Sequence, residues 1–125
     1  MKKLILLAAF AALCAAGEAP SPARAQLTHY LAALNTGDRG AFDAYLADNL
    51  APSLDRAVAL SARDTMFKDH GGFDLVSATE SSPNALHGKL RGRRTHDLLT
   101  VTFEVEPQAP HRLSNYSVLW DKPTK

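Results

Sequence analysis

The sequence predicts an α+β fold in which about three N-terminal helices pack on a curved four-stranded antiparallel sheet. Two observations predict it. Between Leu27 and Phe67 apolar residues recur at spacings of three and four, which is typical of amphipathic helices. From Phe73 onward the period falls to two, which is typical of half-buried strands, and turn sequences divide this part into four short strands. An order of helices followed by hairpin-connected strands indicates an α+β domain.

The first two helices are predicted to form a hairpin. An Asn-Thr-Gly-Asp segment ends the first helix, and its last residue, Asp38, is suited to cap the second. Ala51-Pro52 ends the second helix. The apolar stripe of the first helix consists of Leu27, Tyr30, Leu31 and Leu34, and that of the second consists of Phe42, Tyr45, Leu46 and Leu50.

The third helix is predicted to begin after Ser53 as N-cap and to end at Gly71-Gly72. Its residues form two apolar stripes, which indicates burial on two sides. The first stripe consists of Leu54, Val58, Ala62 and Met66, and the second of Leu60 and Phe67.

The predicted strands run from Phe73 to Thr79, from Ala85 to Arg91, from His96 to Glu106 and from His111 to Trp120. In the third strand one face is formed by Asp97, Leu99, Val101, Phe103 and Val105, which predicts a buried face. In the fourth strand Leu113 is out of phase with Tyr116, Val118 and Trp120, which predicts a β-bulge near Ser114-Asn115.

The N-terminal residues have the pattern of an export signal. Lys2 and Lys3 precede an apolar stretch, Leu4 to Ala16, that is too short to span a bilayer. We expect cleavage after Ala23-Arg24-Ala25, with cleavage after Ala15-Ala16-Gly17 as second choice. The domains are then a signal peptide (1–25), one α+β domain (26–120) and a C-terminal tail (121–125). The expected location is the periplasm or the exterior.

Composition excludes several classes of protein. The chain has 125 residues with 46% hydrophobic and 22% charged side chains, which suits one globular domain. Its formal net charge of +1 would become about −1 without the leader, so no field for binding a polyanion is implied. The single cysteine, Cys14, lies in the leader and follows Leu13, which is too large for a lipoprotein site. After the expected cleavage, we therefore expect the mature chain to lack disulfides, thiolate metal ligands and a stable membrane anchor.

Five segments carry a resemblance to a known family: Tyr30 to Asp38 with Ala41-Phe42, Asp69 to Phe73, Leu90 to Thr95, Phe103 to Glu106 and Pro110 to Leu113. Together they resemble the small nuclear-transport-factor-2-like (cystatin-like, cone-shaped) domain that in bacterial exported proteins is often found ahead of a β-lactamase-type hydrolase or a tail-specific-type serine protease. This fold hosts ketosteroid isomerases, SnoaL-like cyclases, dehydratases and domains without chemistry, so it does not decide the function. The resemblance implies either a stand-alone domain or a shortened form of a larger hydrolase.

Candidate site residues follow from the predicted cone. Active members of the resembled family place a base and a donor inside it. Asp97, the carboxylate in phase with the buried face, is the candidate base, although a wet position at the start of the strand is the simpler interpretation. Tyr116 is the candidate donor. The candidate ligand-binding residues are Tyr30, Tyr45, Phe103 and Trp120.

Other chemistries find no support in the sequence. The five histidines form no metal-binding pair at His-x-His or His-x₃-His spacing, so neither a metal nor another cofactor is expected. Serine-nucleophile motifs are absent. A basic cluster formed by Lys89, Arg91, Arg93 and Arg94 lacks stacking aromatic neighbours, so it indicates a solvated turn rather than a nucleic-acid site.

These observations favour an exported, non-catalytic binding or scaffolding domain. Its partner is expected to be a protein, for example a serine hydrolase, or a small apolar ligand inside the cone. The alternative is an isomerase, cyclase or dehydratase that uses Asp97 with a tyrosine. A homodimer through the sheet is expected if Leu98, Tyr116, Val118 and Trp120 lie exposed together.

Overall fold

The structure is a computed structural model that describes residues 20–121. Residues 1–19, with most of the predicted leader and Cys14, and residues 122–125 of the predicted tail lie outside the described part. The elements are α1 (Pro22–Asn35), α2 (Arg39–Asn49), α3 (Arg56–His70), β1 (Phe73–Ser82), β2 (Ala85–Gly92), β3 (Leu98–Val105) and β4 (Leu113–Trp120). Three helices packed on a four-stranded antiparallel sheet confirm the predicted α+β class, and the arrangement is consistent with a cone.

Helix α1 begins at Pro22, five residues ahead of Leu27, the first residue of its predicted apolar stripe. Ser21 is its N-cap, and the Ser21 side chain accepts a hydrogen bond from the Arg24 amide. Proline at the first helical position suits this start because its missing N–H would have no partner there in any case. The predicted cap of α2 is confirmed, since the Asp38 carboxylate accepts from the Gly40 amide at 3.1 Å.

Helix α3 differs from the prediction in its cap and in its buried face. Asp55, not Ser53, is the N-cap, and its carboxylate accepts from the Ala57 and Val58 amides. The buried residues of α3 are Ala59, Leu60, Arg63, Met66 and His70. Val58, from the predicted buried stripe, is 63% exposed. Arg63 can lie on the buried side because its guanidinium covers the Phe67 ring and pairs with Asp64.

The four strands pair in chain order, β1-β2-β3-β4, all antiparallel. The predicted buried face of β3 is confirmed for its four apolar residues, Leu99, Val101, Phe103 and Val105. The predicted bulge is also confirmed. Glu104 lies opposite Asn115 and Val105 lies opposite Leu113, so Ser114 is the extra residue.

The helices cover one face of the sheet, and the core lies between them. Helix α1 approaches β2 closely at Gly88, where an added Cβ would lie 3.3 Å from Leu27 Cδ2 and from Val101 Cγ2. Tyr116 and Val118 lie opposite Phe103 and Val101, and so on the helix-covered face.

Leu98 lies on the other face of the sheet, because neighbouring strand residues alternate between faces and Leu99 is buried. The four residues named for a sheet dimer are therefore divided between two faces. The prediction that they lie exposed together is wrong.

Candidate functional site

A cleft of about 330 Å³ lies between α3 and β4 on the helix-covered side of the sheet. Small side chains explain the opening on the helix side, because α3 presents alanines at positions 59 and 62 where larger residues would reach β4. On the strand side, β4 is the last strand of the sheet. The cleft is lined by Leu50, Leu54, Asp55, Val58, Ala59, Ala62, Tyr116, Ser117 and Val118.

Tyr116 joins this cleft to the core. Its ring is partly exposed, and its hydroxyl oxygen lies 2.9 Å from the hydroxyl oxygen of Tyr30, which is fully buried in α1. The Tyr30 hydroxyl also lies 3.9 Å from the sulfur of Met66 in α3. This pair of hydroxyls links the first helix to the last strand through the centre of the domain.

Burial raises the pKa of both phenols above its ordinary value. Desolvation raises the pKa of Tyr116 to about 12, although its hydrogen bond with Tyr30 opposes part of that rise. Burial also raises the pKa of Tyr30 well above its ordinary value, and the neighbouring Tyr116 adds to the effect. At physiological pH both groups therefore act as uncharged hydrogen-bond donors and acceptors.

A second polar network lies at the start of α1. The Gln26 side chain is 4% exposed, and its Oε1 accepts from the Tyr45 hydroxyl at 2.8 Å. Its Nε2 donates to Asn49 Oδ1 at 3.1 Å and to the His111 carbonyl at 3.0 Å. One amide thereby ties α1 to α2 and to the loop before β4. In the sequence prediction Gln26 is only the first residue of the mature chain, and no spacing pattern reveals this role.

The structure does not bring the predicted acid–base residues together in the cleft. Asp97 is exposed in the loop between β2 and β3 and is not among the residues that line the cleft, whereas Tyr116 does line it. Asp97 is in phase with the buried face of β3, but it lies one residue before this strand, which begins at Leu98. Asp97 therefore lies at the solvent-exposed start of the strand, as in the simpler of the two interpretations of its sequence position.

The predicted ligand-binding aromatic residues lie mainly in the core. Tyr30, Tyr45 and Phe103 are buried, and their rings pack edge to face around Tyr30. Trp120 is 42% exposed and stacks on His70 with ring centroids 4.7 Å apart. None of the four lines the cleft. Val58 and Ala62, which line the cleft from α3, were missed because their stripe was predicted to be core.

Several of the histidines and basic residues have structural partners. His70 ends α3 as predicted, and its Nδ1 is hydrogen-bonded to the Thr95 hydroxyl. Arg93 pairs with Asp74 at 2.9 Å, and Arg94 donates to two carbonyls at the end of α3. Within residues 20–121 no three His, Cys, Asp or Glu side chains are grouped to hold a metal ion.

The chain matches no protein-family model, no curated protein and no solved structure. Across the part of the chain that the structure describes, no helix has the length and apolar character needed to cross a membrane. The resemblance to a nuclear-transport-factor-2-like domain stays a prediction from the sequence motifs.

Proposed function

We propose that this domain is an exported, non-catalytic binding protein that holds a small apolar ligand in the cleft between α3 and β4. The observation that carries the proposal is the cleft itself, a concave space of about 330 Å³ with a mainly aliphatic lining and one aromatic wall. Pockets that hold small molecules begin at roughly 300 Å³ and have predominantly apolar walls with few polar groups.

The polar groups at the cleft limit the class of ligand. The Asp55 carboxylate lies at its edge, so an anionic ligand would be repelled. A tyrosine phenol is uncharged at physiological pH, and burial raises the pKa of Tyr116 to about 12, so this residue offers no charge to pair with. A neutral apolar molecule that stacks on the Tyr116 ring and contacts the α3 alanines suits these walls.

An acid–base function of the same cleft has less support. Such an enzyme needs a carboxylate that is free to take a proton beside Tyr116. Asp55 is the carboxylate in the lining, but it is engaged as the N-cap of α3. Its Oδ1 accepts hydrogen bonds from the Ala57 and Val58 amides. Asp97 lies outside the lining. Binding without chemistry is therefore the function that we propose.

The test fills the cleft from the helix side. Ala62 lines it and is half-buried, whereas Ala57 lies in the first turn of the same helix, exposed and outside the lining. We expect the neutral fluorescent probe N-phenyl-1-naphthylamine to bind the wild-type protein. Ala62→Phe should weaken that binding by about tenfold or more, equivalent to at least about 1.4 kcal/mol. Ala57→Phe, the matched control, should leave it unchanged.

Both variants are compared with the wild type by far-UV circular dichroism, so that a loss of binding is not a loss of fold. Equal probe affinity in Ala62→Phe and the wild type would contradict the proposal, as would a wild-type protein that does not bind the probe. Native mass spectrometry of the protein from the exported fraction would then identify a retained ligand by its mass.

A further inference from the structure

We infer that the exported protein is cut after Gly17, not after Ala25, and that residues 18–25 stay with the folded domain. The inference rests on the proposed export. In the cleavage step, water hydrolyses the Gly17–Glu18 amide, leaving a carboxylate on Gly17 and an α-ammonium group on Glu18. Sequence alone does not decide between the two sites, because each has small residues at the −3 and −1 positions.

The first turn of α1 is built into the core. Ala23 is fully buried and belongs to the main apolar cluster. Its amide donates to the carbonyl of Pro83 in the turn between β1 and β2, at 3.1 Å. A cut after Ala25 would remove this buried side chain and leave that carbonyl without its partner.

The same cut would remove the cap and the side-chain contact of this turn. The Ser21 hydroxyl accepts from the Arg24 amide at 3.1 Å, and the Ser21 carbonyl accepts from the Ala25 amide at 2.9 Å. Arg24 also pairs with Glu80 at the end of β1, with Nε and Oε2 2.6 Å apart. Without residues 21–25, α1 would start without its cap.

A new N-terminus at Gln26 would also place charge unfavourably. Gln26 is 4% exposed, and its side chain holds α1, α2 and the loop before β4 together. An α-ammonium group there would lie at the positive end of the helix dipole, where cations are disfavoured. A cut after Gly17 puts the charge ahead of the Ser21 cap and leaves this network intact.

The test uses the full chain with its own leader, produced in a bacterial host, and measures the intact mass of the protein in the exported fraction. The expected mass is that of residues 18–125. A mass of residues 26–125 would overturn the inference while leaving export in place. If only the full-length chain is found, in the cytoplasm or the membrane, that result would overturn both the proposed export and this inference.

Two matched variants identify the bond that is cut, because a large residue at the −1 position blocks leader cleavage. Gly17→Leu should abolish the mass of residues 18–125. Ala25→Leu should still release a chain that begins at Glu18. The opposite pattern would overturn the inference.

A stability comparison tests the structural reason independently. Chains that begin at Glu18 and at Gln26 are produced without a leader and unfolded in urea. The chain from Gln26 should have the lower unfolding midpoint or fail to fold. A chain from Glu18 that is no more stable than the chain from Gln26 would overturn the argument.

Discussion

Replacing Tyr116 by phenylalanine would remove one half of the hydroxyl pair that joins α1 to β4. The Tyr30 hydroxyl, on a fully buried residue, would then keep only the sulfur of Met66 at 3.9 Å as a neighbour. A thioether is a weak acceptor. Leaving a buried hydroxyl in this state costs about 1–3 kcal/mol, so Tyr116→Phe should lower the free energy of unfolding by that amount.

The reciprocal change should cost less. Tyr30→Phe would remove the partner of the Tyr116 hydroxyl, but Tyr116 is a partly exposed residue that lines the cleft, whereas Tyr30 is fully buried. We expect a loss of about 0.5–1.5 kcal/mol. The double variant leaves neither hydroxyl unsatisfied, so its loss should fall short of the sum of the single losses by about 1 kcal/mol.

Urea denaturation followed by far-UV circular dichroism measures all three variants. Ser117→Ala, at the exposed neighbour of Tyr116 in β4, is the control and should change stability by less than about 0.5 kcal/mol. In a domain of about 100 residues, each 1 kcal/mol corresponds to a shift of about 4–8 °C in Tm. Two results together would refute the stabilising role of the hydroxyl pair. Tyr116→Phe would be as stable as the control, and the losses of the two single variants would add strictly in the double variant.

Two further predictions concern pH and the end of α3. Burial raises the pKa of Tyr116 from 10.0 in the unfolded chain to about 12 in the folded protein, so the unfolded chain loses the phenol proton at a lower pH. The free energy of unfolding should therefore fall as pH rises from 10 towards 12. This group contributes up to about 1.4 kcal/mol per pH unit to the fall. Urea midpoints measured across this range should fall less steeply in Tyr116→Phe, and equal slopes would contradict the assignment. Arg94 donates to the Lys68 and Asp69 carbonyls at 3.0 and 3.2 Å, so Arg94→Ala should cost about 1 kcal/mol in urea unfolding. Arg91→Ala, at an exposed arginine of β2, should cost little, and equal losses would argue against the capping role.

Periodicity predicted the order of the elements and the parts of the core that a single element decides. Leu99 to Val105 alternate so regularly that their buried face follows from the strand period, and the bulge follows from the phase break after Leu113. The Asp38 cap is equally local, because the cap and the amide it binds are two residues apart.

The same local reasoning misplaced the beginning of α1 and the buried face of α3. Residues 22–25 have a composition that also suits the end of a leader, and only the tertiary structure, which buries Ala23 and pairs Arg24 with Glu80, shows that they belong to α1. In α3 the sequence offers two apolar stripes, and the rotation of the helix depends on what it packs against. Arg63 can lie on the buried side because its guanidinium covers the Phe67 ring and pairs with the Asp64 carboxylate.

The sequence by itself determined the class of fold, because hydrogen bonding and side-chain period within one helix or strand are local properties. Only the tertiary structure decided the candidate site. Tyr30 and Tyr116 are 86 positions apart, and their hydroxyls meet because α1 packs on the same face of the sheet to which β4 brings Tyr116. The cleft is the space left between α3 and β4. No single element contains that space, since it depends on how two surfaces fail to fill the gap between them.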